Sequence, residues 1–72
     1  MENETEAREE ATRQYNLPGG IRNLEAYTQN PNLTESIREY LSRVLEATQK
    51  RNSYPDTRIW KLTPSLIEKL TA

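Results

Sequence analysis

Arg43, Lys50, Arg51, Arg58 and Lys61 fall within nineteen residues of one another, with Tyr54 and Trp60 among them. Cations at this density neutralise phosphates or carboxylates, and aromatic side chains between them stack on bases or anchor in a partner's pockets. These seven residues are the candidate contact set, for a partner protein or for a nucleic acid. The densest part is "RIWKLTP", residues 58–64, which holds the only Trp of the chain. It reads either as a basic, aromatic edge that touches a partner or as a core segment that leads into a helix. The cations have a structural role open to them as well. Glu39–Arg43 and Glu46–Lys50 are acid-first i,i+4 pairs, and Lys50 and Arg51 suit the negative end of a helix dipole.

Catalysis finds little to work with. The chain has no His and no Cys, so the usual general base near neutrality, the thiolate nucleophile and the commonest metal ligand are all missing. It has one Asp, and the neighbouring carboxylates Glu9 and Glu10 point to different sides of a helix. "PGG" lacks the spacing of a phosphate loop. The expectation is a non-enzymatic protein with no catalytic residue, no cofactor, no metal site and no small-molecule substrate.

Charge narrows the partner. The 72 residues carry a net charge of −1, which is no general argument for nucleic acid. The distribution is uneven, however. Residues 1–16 hold five Glu against Arg8 and Arg13, whereas residues 43–61 hold five cations against Glu46 and Asp56. No apolar run approaches the roughly 18 residues of a membrane span, and "MENETEAREE" does not resemble a secretory leader. A soluble, cytoplasmic protein with no membrane contact is expected.

The elements that must position these residues are helices. In residues 33–51, Leu33, Ile37, Tyr40, Leu41, Val44 and Leu45 recur at helical spacing, with Glu35, Glu39, Arg43, Glu46 and Lys50 on the other face. Residues 21–29 form a shorter helix between "NLPGG" and Asn30-Pro31. Thr63 as N-cap and Pro64 at the first helical position start a third helix over residues 64–71. Residues 1–15 form a separate acidic region. It is either a helix docked by the thin stripe Ala7, Ala11 and Tyr15 or an arm, and it is expected to add little to stability. "TRIWKL", residues 57–62, has the β-branched and aromatic content of a short strand.

"RIWKLTPSLIEKL", residues 58–70, resembles the last wing strand and following helix of winged-helix transcription regulators, in which an aromatic–basic–Leu–Thr–Pro run leads into a helix. The matching positions are Trp60, Lys61, Leu62, Thr63 and Pro64. The resemblance implies DNA as the ligand and residues 33–51 as the recognition helix.

The fold expected from the residues is a small all-α domain of three or four helices over residues 16–72, with at most one extended segment near 57–62. Its core is Leu17, Ile21, Leu24, Leu33, Ile37, Leu41, Val44, Leu45, Ile59, Trp60, Leu62, Leu66, Ile67 and Leu70, with Trp60 closing one end. On that assignment Trp60→Ala costs about 3–5 kcal/mol. Tyr27, Tyr40 and Trp60 exceed what so small a core covers, and aromatic anchors are what interfaces use. The leading functional expectation is therefore a protein–protein interaction module: an adaptor, a regulator or a small subunit, with another protein or a second copy of itself as partner. The alternative is a DNA-binding regulator of helix-turn-helix or winged-helix type.

Overall fold

The computed structural model describes residues 3–72, and all regular structure in them is helical. Helix α1 spans Glu4–Asn16, α2 Ile21–Thr28, α3 Glu35–Asn52 and α4 Pro64–Thr71, with one 3-10 turn at Pro55–Thr57 between α3 and α4. The all-α expectation is met. Residues 1 and 2 of the acidic stretch lie outside the described residues.

Three of the four helices, α1, α3 and α4, start where a capping side chain satisfies a free backbone N–H group, and α2 starts from Gly20 without one. Asn3 Oδ1 accepts from Glu6 N at 2.9 Å, Thr34 Oγ1 from Ile37 N at 3.3 Å, and Thr63 Oγ1 from Leu66 N at 3.1 Å. The Thr34 cap puts the start of α3 at Glu35, two residues later than periodicity alone suggests. Leu33 is nonetheless buried just ahead of it. Between α1 and α2 the chain reverses through Gly19 and Gly20, at φ +106° and +47°. Side chains rarely adopt those angles, so both positions need glycine. The Asn23 amide braces the same turn by donating to the Pro18 carbonyl at 2.8 Å.

The core is one cluster. Leu24 of α2, Leu41 and Val44 of α3, Leu62 and Ile67 are fully or almost fully covered, and Ile37, Tyr40 and Ile59 are nearly so. Helix α1 packs against α2, α3 and α4. Its stripe is the one visible in the sequence: Ala7 and Ala11 are completely buried and Tyr15 is 7% exposed. The helix alternative is thus realised over Glu4–Asn16. Alanines let helix backbones approach closely, so a thin stripe suffices once three neighbours are present. Arg8 reaches Tyr40 at 3.5 Å, and Asn52 reaches Tyr15 at 2.9 Å, so α1 and α3 run in the same direction. Arg8 also pairs with Glu68 at 3.4 Å while Asn16 bonds Leu62, so α4 runs opposite to α1. The Cα radius of gyration, 11.2 Å, is that of a close-packed chain of this length.

Three expectations need correction. No strand forms at residues 57–62, because the backbone there bonds to side chains rather than to another strand. Trp60 is 77% exposed and Leu17 42% exposed, so neither belongs to the core. Leu17 sits in the reversal after α1, outside the packed faces. Tyr40, expected as surplus aromatic surface, is buried instead, and Tyr27 packs half-buried against the core. Ile21, Leu45, Leu66 and Leu70 lie at the core's edge, partly covered.

Candidate functional site

The path of residues 58–63 decides what the candidate contact residues can do. Two asparagines hold it. The Asn16 amide grips both backbone groups of Leu62, accepting from its N–H at 2.8 Å and donating to its carbonyl at 3.0 Å. Asn52 Oδ1 accepts from Ile59 N at 2.8 Å, and its Nδ2 donates to the Tyr15 hydroxyl at 2.9 Å. That hydroxyl in turn donates to the Ile59 carbonyl. All four backbone polar groups of Ile59 and Leu62 are therefore satisfied by side chains from the C-terminal ends of α1 and α3. This is what a neighbouring strand would otherwise do.

The consequence is geometric. Ile59 and Leu62 point inward, at 8% and 1% exposure, three residues apart. The chain bends between them, and Trp60 and Lys61 swing out to solvent. The Arg58 guanidinium carbon lies over the Trp60 ring, 4.5 Å from its centroid, in cation–π range.

Lys50 and Arg51 occupy the last turn of α3. Tyr54 follows, 62% exposed. The turn that carries it is fastened to α3 by Thr57, whose hydroxyl donates to the Arg51 carbonyl at 3.1 Å and lies 3.2 Å from the Tyr54 carbonyl. Lys50, Arg51, Tyr54, Lys69 and Leu70 line one shallow groove. Arg51, Arg58, Trp60, Lys61, Leu66 and Leu70 line the next. Arg51, Thr57, Lys69 and Leu70 belong to both, so the two grooves form one face. Six of the seven sequence-derived contact residues meet there. Arg43 does not: it lies roughly two turns earlier on α3, in a separate groove with Glu35, Arg38 and Glu39.

Sequence reasoning missed the α4 side of this face. Leu66 and Leu70 are expected in the core, and Lys69 carries no expected role. Their signal was present in the short helix itself. Eight residues bury only Ile67 completely, which leaves the i,i+4 pair Leu66 and Leu70 at the rim with Lys69 between them in sequence.

The electrostatics of the face are unbalanced. Among the described residues the ion pairs are Arg8–Glu68 and Arg13–Glu10, neither on this face. The expected Glu39–Arg43 and Glu46–Lys50 pairs do not form. Lys50, Arg51, Arg58, Lys61 and Lys69 share the face with one carboxylate, Asp56. Perturbed titration is found on α1. Hydrogen bonds from Arg13 and Gln14 hold the Glu10 carboxyl below its ordinary value, and the same Arg13 pair raises the guanidinium. Arg8 is raised by its hydrogen bond to Tyr40. These are contacts of α1, away from the basic face.

Comparison with protein-family models, with curated proteins and with solved structures gives no match. The winged-helix resemblance gains no further support, and its wing strand is absent from the described residues. No described helix is long and apolar enough to cross a membrane.

Proposed function

We propose that the protein is a non-enzymatic interaction module that binds another protein through the face formed by Tyr54, Arg58, Trp60, Lys61, Leu66 and Leu70. The observation that carries this reading is the exposed Trp60 indole, held in place by a hydrogen-bonded backbone and stacked by Arg58. A Trp side chain left in water forgoes about 1.5–3 kcal/mol of burial. Trp, Tyr and Arg are the residues that dominate binding energy at interfaces. The backbone on either side of Trp60 is already hydrogen-bonded at Ile59 and Leu62, which lowers the ordering cost of docking there. The absence of His and Cys from the chain supports a role without catalysis.

Nucleic-acid binding is the second reading, favoured by the five cations of the same face, which form no ion pair among the described residues. It is opposed by Glu35, Glu39 and Glu46 along α3, which repel an extended polyanion.

Two experiments separate them. Immobilised wild-type and Trp60→Ala proteins are compared for the proteins they retain, with melting curves for both. A protein retained by the wild type and lost by an equally stable Trp60→Ala supports the interaction module. In parallel, labelled duplex DNA is titrated at low and moderate salt. DNA binding that collapses with salt, with no protein retained, replaces the first reading by the second.

A further inference from the structure

We infer that the occupant of this face is an acidic, amphipathic segment of another protein. It places an apolar side chain over Leu70, between Tyr54 and Trp60, and carboxylates against Arg51, Arg58, Lys61 and Lys69. The inference rests on the interaction-module reading and names its partner class.

Three observations favour this occupant. The first is the composition of the face. An apolar strip runs from Tyr54 over Leu70 and Leu66 to Trp60, and cations stand along both grooves. An apolar peptide alone would leave those cations unanswered; a purely acidic one would leave the indole in water.

The second is polarity along the molecule. α1 and α3 run in the same direction, so their N-terminal ends lie together, with Glu4 and Glu6 of the first turn of α1 at the same end as Glu35 of the first turn of α3. Lys50, Arg51, Arg58 and Lys61 lie toward the opposite end, whereas Arg38 and Arg43 sit among the carboxylates of α3. A short acidic segment covers the basic end and stops there, whereas a nucleic-acid duplex extends its charge past it toward the carboxylates.

The third observation concerns a second copy. Its acidic end matches the basic face in charge, which would give head-to-tail assembly. It does not match in apolar chemistry. Among the described residues the exposed large hydrophobic side chains are Leu17, Tyr54 and Trp60, and none of them lies on the acidic end. Among the described residues a second copy therefore supplies carboxylates without an anchor, which favours a different chain.

The single Trp is a built-in reporter, since its emission shifts to the blue when the indole leaves water. The full chain is titrated with four probes: a short Glu-rich peptide with Leu and Phe at i and i+4, the same peptide with both anchors changed to Ala, a Lys-rich peptide with the anchors kept, and an oligothymidylate of equal charge. The inference expects saturable binding and a blue shift with the first probe. It expects affinity lower by about tenfold or more without the anchors, and again with Arg58→Ala/Lys61→Ala. Tyr54→Ala, read by peptide anisotropy, weakens the same probe without touching the reporter. The inference is overturned if the oligothymidylate binds as well as the first peptide. It is equally overturned if the Ala-anchored or Lys-rich peptide binds as well, or if the first probe binds wild type and Arg58→Ala/Lys61→Ala alike. Failure of the first peptide alongside a retained protein that depends on Trp60 sinks the acidic partner and leaves the interaction module standing. Failure of both sinks both.

Discussion

The inner and outer sides of residues 58–62 differ completely, although five consecutive residues make both. On the inner side, Ile59 and Leu62 are buried, and their backbone groups are held by Tyr15, Asn16 and Asn52. On the outer side, Arg58, Trp60 and Lys61 are exposed, and Arg58 lies over the Trp60 ring. The difference teaches that apolar size does not decide burial here. Trp60 is the largest apolar group in the chain, yet it is outside, because the hydrogen bonds fix the backbone so that its neighbours face in. A stretch anchored this way can present a large aromatic ring to solvent without collapsing onto it.

The comparison breaks first on the inner side. Leu62→Ala removes a side chain that is 1% exposed and leaves a cavity among α1, α3 and α4, so about 2–5 kcal/mol should be lost. That is a large part of the stability of a domain this small. A denaturant melt should show a much lower midpoint or no folded baseline. Asn52→Ala should follow, at about 1–3 kcal/mol, because the Ile59 N–H loses its acceptor and the Tyr15 hydroxyl loses a donor. Asn16→Ala should cost less, since Asn16 is exposed and water can replace its amide. If the two asparagine variants melt like the parent, the backbone path is set by packing alone, and the account of why Trp60 faces out is wrong.

Much of the fold was legible, for a physical reason. The stripe Ile37, Tyr40, Leu41 and Val44 along α3, the Thr63 cap and the Gly19-Gly20 reversal are local patterns, and local patterns are visible in a sequence. The close packing of Ala7 and Ala11 was legible as a stripe but not as an anchor, because two methyl groups bury little area until three other helices surround them. The exposure of Trp60 was not legible at all. It depends on Asn16 meeting Leu62 across 46 residues, and nothing in the composition of "RIWKLTP" signals that. The candidate site was half legible. Its cations and aromatics were in view, whereas Lys69, Leu66 and Leu70 joined it only once α4 folded back along α3, and Arg43 left it.

The outer side should tolerate change. Trp60→Ala removes a ring that is mostly in water and a cation–π contact at an exposed site, so the cost should be about 0.5–1 kcal/mol, well below what a core Trp would lose. Arg58→Ala and Lys61→Ala should stay within roughly 0.5 kcal/mol of the parent. Thermal melts of the three, set beside Leu62→Ala, measure the contrast directly. A Trp60→Ala protein that loses several kcal/mol would place the indole in the core after all and remove the anchor from the proposed interface.

The smallest effect tests whether a paired cation behaves differently from the unpaired ones of the outer face. Arg13 donates to Glu10 from two nitrogens, at 2.8 and 3.3 Å, and Gln14 adds a third donor at 2.7 Å. The folded Glu10 carboxyl is thereby held below its ordinary value. A carboxyl whose folded value is depressed binds its proton more readily in the unfolded chain. Its contribution to stability is complete above the ordinary Glu range and is lost as pH falls through the lower, folded value. Both partners are partly open to water, so screening keeps the amount to about 0.2–0.5 kcal/mol. Glu10→Gln should therefore be less stable than the parent by that margin at neutral pH. The two should converge in acid, and moderate salt should close the gap at neutral pH as well. Arg13→Ala should likewise be less stable than the parent at neutral pH and converge with it in acid, whereas Arg58→Ala, with no ion pair among the described residues, should show no such pH-dependent difference. A gap between Glu10→Gln and the parent that persists or widens in acid would mean that the Glu10 side chain contributes through packing along α1, and that its pairing with Arg13 does not separate it from the free cations of the outer face.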